Sequence, residues 1–335
     1  MANNLIPIVM ALSSYDHVHA ITSGEVEIAG VAPTFVDLPI PEMFRRFINT
    51  QDWDVSEMST AQYVTRRLDG DDSIVGIPVF TSRMFRHSSI IVRKDRIRRP
   101  EDLKGARIGT TEWILSACVW ARGMLEDMYG IGPEDVTWVQ AGMDRPGRAQ
   151  AVIPPHLSKD VTIVAEPERA LQDMLWAGEI DAVMAPQFPL GFRTAVESSD
   201  LVGPLFDDLA AAEREYFDRT QVLPIMHTLG IRRELHERYP WLATNVYRAF
   251  EVSRRRYFAR VEDIAASRTP LPWLRDYVQE LRGIFGPEIW PYGLEPNRVP
   301  LETFLRYAAR QGLIASDDVE IADLFAPVEP FVDGM

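Results

Sequence analysis

Apolar segments of strand length alternate with amphipathic segments along much of the chain. In the N-terminal part, apolar runs that suit β-strands occupy positions 5–11, 31–38, 53–59 and 74–80. Between the second and third runs, apolar side chains at 43–47 recur at the spacing of one helical face. Strands that alternate with helices are typical of an α/β fold.

The same pattern predicts two lobes with a central cleft. The chain leaves the first group of strands after residue 92, and a new strand–turn–helix unit follows. An apolar strand at 223–231 then returns the chain, and the segments after it are largely helical. We therefore assign 1–92 and 222–335 to lobe 1, with the C-terminal helices packed on it, and 93–221 to lobe 2.

Polar side chains follow the predicted strands of lobe 1 at the points where those strands end. Asp16 and His17 lie in the loop after the first strand, and Glu57 and Ser59 end the third. The carboxyl ends of strands in open α/β sheets are where ligands bind. These four residues are therefore expected to meet at the cleft.

The predicted crossover between the lobes carries groups that suit an anion. Arg86, His87 and Ser88 directly precede an apolar run at 90–92. A guanidinium can hold a carboxylate through two hydrogen bonds, and hydroxyl groups can complete such a site. In lobe 2, Thr110 lies in a strand-to-helix turn, where free backbone N–H groups can meet an anion.

Two further residues complete the candidate set. Trp113 follows the same turn of lobe 2, and its ring could stack on an aromatic ligand or belong to the core. His227 lies in the apolar returning strand, where a ligand contact and a satisfied core histidine are both open.

Composition narrows the class of ligand. The 335-residue chain has a formal net charge of −14, so neither nucleic acid nor an anionic membrane is expected as a partner. A small anionic substrate then needs a local basic pocket. The single cysteine, Cys118, excludes an intrachain disulfide and a cysteine-rich metal site. The sequence shows neither a secretory signal nor a membrane-spanning apolar run, so a cytoplasmic location is expected.

Several short strings carry a family resemblance. From the first strand to about Trp241, the chain resembles the 4,5-dihydroxyphthalate decarboxylase family in the strings Tyr15-Asp16-His17, Asp54-Val55-Ser56-Glu57-Met58-Ser59, Phe85-Arg86-His87-Ser88 and Pro224-Ile225-Met226-His227. Its two-lobed arrangement is similar to the type 2 periplasmic binding protein fold. The resemblance implies phthalate degradation by cofactor-independent removal of CO₂ from a hydroxylated aromatic carboxylate, with a product similar to protocatechuate.

Such a reaction requires an acid, because loss of CO₂ leaves an aryl carbanion unless the ring carbon is protonated first. Histidine has the side-chain pKa nearest to neutral pH, and general acid catalysis contributes about 10²- to 10⁴-fold. We expect His17 and His87 to supply the acid, with Asp16 or Glu57 orienting the histidine or accepting the phenolic proton. The residues expected to bind the substrate are Arg86, Ser88, Ser59, Thr110, His227 and Trp113.

Three alternatives stay open. A solute-binding protein for an anionic aromatic or sulfonate ligand would share the fold without catalysing a reaction. An enzyme that makes a cofactor precursor could also have this fold. No cofactor is expected, although His17, His19, Glu57, His87 and His227 could instead converge on a divalent metal. The sequence also leaves open the ring substituents of the substrate and whether the protein is a homo-oligomer.

Overall fold

Two β-sheets form the centres of two lobes in the computed structural model, which describes residues 5–147, 153–266 and 268–329. The first sheet contains β1 (Ile6–Ala11), β2 (Val31–Val36), β3 (Val55–Ser59), β4 (Ile74–Arg83) and β11 (Ile225–Arg232). Their order across the sheet is β2-β1-β3-β11-β4, so β3 lies in the middle.

The central position of β3 buries polar side chains. Strand β3 pairs in parallel with β1 and antiparallel with β11. All of its residues are buried, including Ser56, Glu57 and Ser59. A buried carboxylate is stable only with hydrogen-bond partners, so the surroundings of Glu57 must supply them.

The second sheet belongs to the other lobe. Its strands are β5 (Ile90–Arg93), β6 (Arg107–Thr110), β7 (Thr137–Gly142), β8 (Thr162–Ala170), β9 (Ala182–Met184) and β10 (Val202–Pro204). They are ordered β10-β5-β9-β6-β7-β8, and β5 is antiparallel to both of its neighbours.

The crossovers between the sheets occupy 84–89 and 221–224. The predicted boundary after residue 92 put the apolar run at 90–92 in lobe 1, whereas β5 pairs with β9 and β10 in lobe 2. Either sheet would bury such a run, so its composition does not select the partner. The second crossover lies at the predicted boundary.

Helices cover the faces of the two sheets. They are α1 (His19–Thr22), α2 (Ile40–Thr50), α3 (Thr60–Leu68), α4 (Ser116–Tyr129), α5 (Leu171–Ala177), α6 (Leu190–Glu197), α7 (Leu209–Thr220), α8 (Arg233–Arg238), α9 (Leu242–Val261), α10 (Leu274–Phe285) and α11 (Arg298–Arg310). In the part of the chain that the structure describes, none of them is both long and apolar enough to cross a lipid bilayer.

The C-terminal helices contact both lobes, which differs from the prediction that they pack on lobe 1. Helix α9 packs against α1 and β4, but α11 packs against α4 of lobe 2. Gly123 of α4 permits this approach, because a Cβ there would lie 2.1 Å from the ring of Tyr307. Arg306 also pairs with Asp127 at 2.7 Å across the two helices.

Candidate active site

Glu57 is the hub of a buried hydrogen-bond cluster in lobe 1. Its side chain is 0% exposed. Oε1 accepts hydrogen bonds from the Tyr15 hydroxyl (2.6 Å) and the Thr81 hydroxyl (3.0 Å), and it lies 2.7 Å from His227 Nδ1. Oε2 accepts one from the backbone N–H of Ser13 (3.1 Å). An ionised carboxylate only accepts hydrogen bonds, so the proton between Glu57 and His227 lies on Nδ1.

Strand register explains why Glu57 and His227 meet. In the antiparallel β3–β11 pair, His227 is opposite Ser59 and Leu229 is opposite Glu57. Glu57 and His227 are therefore diagonal neighbours on one face of the sheet, within reach of long side chains. The register between β11 and β4 shifts on both sides of His227, and irregularities of this kind redirect side chains.

The cluster holds a negative charge beside a neutral phenol. Burial alone raises the pKa of the Glu57 carboxyl, but the hydrogen bonds from His227, Tyr15 and Ser13 outweigh it, so the pKa lies below its usual range. Burial and the Glu57 charge raise the pKa of Tyr15 well above its usual range. At neutral pH, Glu57 is thus an anion and Tyr15 a hydrogen-bond donor.

His227 keeps one ring nitrogen free for a ligand. Nδ1 is bound to Glu57, while Nε2 makes no hydrogen bond to any residue that the structure describes. The side chain is 15% exposed, and Phe44 packs edge-on against the ring with the centroids 4.8 Å apart. His227 can therefore present Nε2 in a fixed orientation.

Arg86, in the first crossover, contacts the residue that precedes His227. Its Nε contacts the sulfur of Met226, the residue before His227, at 3.0 Å, and its Nη1 donates to the carbonyl oxygen of Pro186 in lobe 2 at 3.2 Å. Burial lowers its pKa to about 10, so the guanidinium stays charged at neutral pH. Within residues 5–147, 153–266 and 268–329, no carboxylate pairs with it. A partly buried cation without a counter-ion is suited to binding an anion.

Hydroxyl groups from both lobes meet next to this pair. Ser59 Oγ lies 2.9 Å from Ser116 Oγ at the start of α4, and Ser116 Oγ also accepts a hydrogen bond from Ala61 N (3.0 Å). Ser59 in addition caps α3 by accepting from Gln62 N. Thr110 is buried at the end of β6, and its hydroxyl donates to the carbonyl oxygen of Glu112. The N-termini of α3 and α4 therefore approach each other between the lobes.

The ring of His17 packs against Tyr15 and Trp290. The centroid of its ring is 5.4 Å from that of Tyr15 and 5.7 Å from that of Trp290. Burial lowers its pKa to about 4, so it is neutral at pH 7. The neighbouring Asp16 is exposed and lines a different pocket, together with His19.

His87, Ser88 and Trp113 lie outside the Glu57 cluster. His87 is 1% exposed, with its ring against Phe206 (4.9 Å between centroids), and burial lowers its pKa to about 4. Ser88 is exposed. Trp113 is 2% exposed; its indole N–H donates to a backbone carbonyl, and the Arg122 guanidinium lies 3.9 Å above its ring. Trp113 thus takes the core position that the sequence left open.

Among the predicted residues, the structure brings Glu57 and His227 together and places Ser59 opposite His227 in the sheet, and Arg86 contacts the neighbouring Met226. Sequence reasoning did not assign roles to Tyr15, Thr81, Ser13 or Ser116. Two signals were available: Tyr15 stands in the same polar loop as Asp16 and His17, and Ser116 precedes an apolar helical run.

The five residues considered as metal ligands are spread over the molecule. His87 lies in the core of lobe 2, His19 is exposed, and only Glu57 and His227 are in direct contact. Among the described residues, no group of three or more histidine, cysteine, aspartate or glutamate side chains is arranged to hold a metal ion.

Sequence comparison gives the family. The chain is 38% identical over 320 residues to a 4,5-dihydroxyphthalate decarboxylase of Comamonas testosteroni. The alignment covers 95% of this chain and 96% of that protein. The chain belongs to the 4,5-dihydroxyphthalate decarboxylase family. A second member, from Pseudomonas putida, is 36% identical over 216 residues, or 64% of this chain and 82% of its own length. No family model matches the chain.

Solved structures give the fold. A periplasmic sulfonate-binding protein of Methylobacillus flagellatus superposes with a TM-score of 0.52 at 12% identity, covering 98% of this chain and 92% of its own. A Candida albicans protein with the generic periplasmic binding protein fold gives 0.51 at 13% identity, covering 97% and 96%. The predicted two-lobed, type 2 periplasmic binding protein-like fold is confirmed.

Proposed function

We propose that this chain removes CO₂ from a hydroxylated aromatic carboxylate, with 4,5-dihydroxyphthalate as the substrate. Family membership supports the reaction class. The observation that carries the proposal is the buried Glu57–His227 pair, which leaves Nε2 of His227 without a hydrogen bond to any described residue. Arg86, whose guanidinium has no counter-ion among the described residues, contacts the preceding residue of the strand, Met226. His227 and Arg86 thus offer a proton donor and an anion-binding group at the same part of β11.

The reaction consumes one proton per turnover. The bond between the ring carbon and its carboxylate breaks, CO₂ leaves, and a C–H bond forms at the same carbon. A hydroxyl group para to that carboxylate pushes electrons into the ring and makes the carbon basic enough to accept the proton. The protein must therefore supply an acid, hold the ring beside it and keep water out.

His227 is our candidate for the acid. As an imidazolium it can donate from Nε2, while Glu57 accepts from Nδ1 and stabilises the positive charge. Tyr15, Thr81 and the Ser13 N–H hold the carboxylate of Glu57 in place. After each turnover, His227 takes a new proton from solvent.

This assignment replaces His17 and His87 as the expected acids. Burial keeps both neutral at working pH, because the pKa of each lies at about 4. For His17, burial outweighs the attraction of Glu57 and Asp16, and burial alone acts on His87, so neither ring is held as an imidazolium. His17 instead supports Tyr15 through ring packing.

Arg86 is our candidate for holding the second carboxylate of the substrate. An arginine can bind a carboxylate through two parallel hydrogen bonds and so fix the plane of the ring. The hydroxyls of Ser59, Ser116 and Thr110 are suited to the remaining oxygen atoms. Closure of the lobes over the ring would expel water and strengthen these contacts.

The rival function is a solute-binding protein for an anionic aromatic or sulfonate ligand. Its support is the shared fold, which does not determine function. The deciding experiment measures CO₂ release from 4,5-dihydroxyphthalate, phthalate and 3,4-dihydroxybenzoate with purified protein. We expect release from 4,5-dihydroxyphthalate and none from phthalate, which lacks the electron-donating hydroxyl. Tight binding of the first compound without release would favour the rival.

The cellular location and the oligomeric state of the protein can each be tested directly. We propose a cytoplasmic location, for which cell fractionation is the test. Mass measurement in solution would decide between a monomer and a homo-oligomer.

A further inference from the structure

A second polar pocket lies on the outer side of the loop that carries Tyr15. Its volume is about 280 Å³, close to the lower end of small-molecule pockets. One wall is formed by Asp16, His19 and Glu25, and the other by Arg256 and further residues of α9. It is therefore separate from the Glu57 cluster, although the two share the loop at 13–19.

The α9 wall supplies cations with free donors. Arg256 and Arg260 are one helical turn apart, and both are exposed. Arg256 donates from Nη1 to the carbonyl oxygen of Glu25, which leaves its other N–H groups available. Arg260 makes no hydrogen bond or ion pair with any described residue. Arg268, the third arginine of the pocket, is paired with Asp263 at 3.0 Å.

The opposite wall supplies acceptors. Asp16 and Glu25 line the same cavity, and no cation pairs with either carboxylate in the described part of the chain. Tyr257, which follows Arg256 on α9, also lines the pocket. Burial, with Asp16 adding to it, raises the pKa of the Tyr257 hydroxyl, so the ring stays neutral. The pocket thus combines cationic, acceptor and aromatic side chains.

We propose that this pocket binds a small aromatic monocarboxylate with ring hydroxyl groups. The carboxylate binds Arg256 and Arg260, the hydroxyls donate to Asp16, and the ring packs on Tyr257. The choice of ligand rests on the proposed function, because the product of that reaction belongs to this chemical class.

The pocket also contacts the loop of the Glu57 cluster. Ser253 of α9, a buried residue of the pocket, donates a hydrogen bond to the carbonyl oxygen of His17 (2.8 Å). The same loop provides the Ser13 N–H and the Tyr15 hydroxyl to Glu57. The ligand therefore binds against the outer face of a loop whose inner face forms the proposed active site.

Titration calorimetry with 3,4-dihydroxybenzoate tests the proposal by counting sites. We expect two sites per chain in the wild type and one in the Arg256→Gln/Arg260→Gln double variant, which keeps its turnover of 4,5-dihydroxyphthalate. Arg275→Gln, a change at an exposed arginine of α10 outside the pocket, is the matched control and should keep both sites.

Asp16→Asn tests the acceptor end separately. This change should weaken binding of 3,4-dihydroxybenzoate to this pocket about tenfold, because one hydrogen bond to a charged group is lost. Binding of benzoate, which has no ring hydroxyl groups, should stay unchanged. A single site in the wild type, or two sites in the double arginine variant, would overturn the proposal. The site count does not depend on CO₂ release, so failure of the proposed function is recognised separately.

Discussion

Replacing Glu57 by glutamine should remove the charge that stabilises the His227 imidazolium while keeping the size of the side chain. A carboxylate and an imidazolium about 4 Å apart interact by about 4 kcal/mol at an effective dielectric constant of 20. Since about 1.4 kcal/mol corresponds to tenfold in rate, this upper bound allows a loss of about 10³-fold. General acid catalysis itself contributes about 10²- to 10⁴-fold, so we expect kcat to fall by about 10²- to 10³-fold.

The same substitution should cost some stability. Glu57 accepts hydrogen bonds on both carboxylate oxygens, and the amide of glutamine can accept on only one side. If its oxygen takes the Oε1 position, the amide N–H₂ faces the Ser13 N–H and one buried hydrogen bond is lost. The free energy of unfolding should then fall by about 1 to 3 kcal/mol. Circular dichroism and urea unfolding would show that the variant remains folded.

A double-mutant cycle with His227→Asn tests whether the two residues act as a unit. The assay is CO₂ release from 4,5-dihydroxyphthalate by both single variants and the double variant. We expect the double variant to be no slower than the slower single variant, because each change disables the same acid. Glu251→Gln is the matched control, since Glu251 is also buried and paired, with Arg254 at 2.7 Å, but lies outside the cluster. Single effects that multiply in the double variant would refute the reasoning.

Three further predictions follow from named contacts. Arg86→Ala should raise KM for 4,5-dihydroxyphthalate at least about tenfold, the value of one charge-assisted hydrogen bond, and equal KM values would rule out the carboxylate contact. His17 and His87 have pKa values of about 4 in the folded protein, against about 6.5 in the unfolded chain. Their contribution to the free energy of unfolding is therefore complete above pH 6.5 and decreases by about 3 kcal/mol each as the pH falls towards 4. Between pH 7 and pH 4.5, the free energy of unfolding measured with urea should therefore fall more in the wild type than in His87→Gln. An equal fall in both proteins would contradict this. A chelator should leave turnover unchanged. If turnover were lost on chelation and recovered with a divalent metal, His227 would instead be a metal ligand.

The fold was predictable from sequence because strand and helix periodicity is local information. Apolar runs such as that at 74–80 identified strands. The group of such strands before the first crossover identified lobe 1. The sheet that Ile90–Arg93 joins was not predictable, since both sheets offer an apolar environment. Packing of α11 on α4 depended on the close approach of Tyr307 to Gly123, which a single sequence does not reveal.

The candidate site was predictable in part for a related reason. Glu57 and Ser59 stood out because polar residues in an apolar strand need partners. For His227, a ligand contact and a core histidine both stayed open, because its apolar neighbours in sequence do not reveal which strand lies opposite it. The antiparallel register of β11 against β3 brings it to Glu57. Conversely, His87 stood beside a cationic residue in sequence, yet its side chain packs into lobe 2 against Phe206.

The most direct test of the central claim compares two histidine variants in one assay. Turnover of 4,5-dihydroxyphthalate is measured for wild type, His227→Asn and His17→Asn, with folding checked for each. The account predicts at least a loss of about 100-fold for His227→Asn, the lower range of general acid catalysis, and a clearly smaller loss for His17→Asn. Wild-type turnover in His227→Asn, or a larger loss in His17→Asn, would contradict the assignment of His227 as the acid.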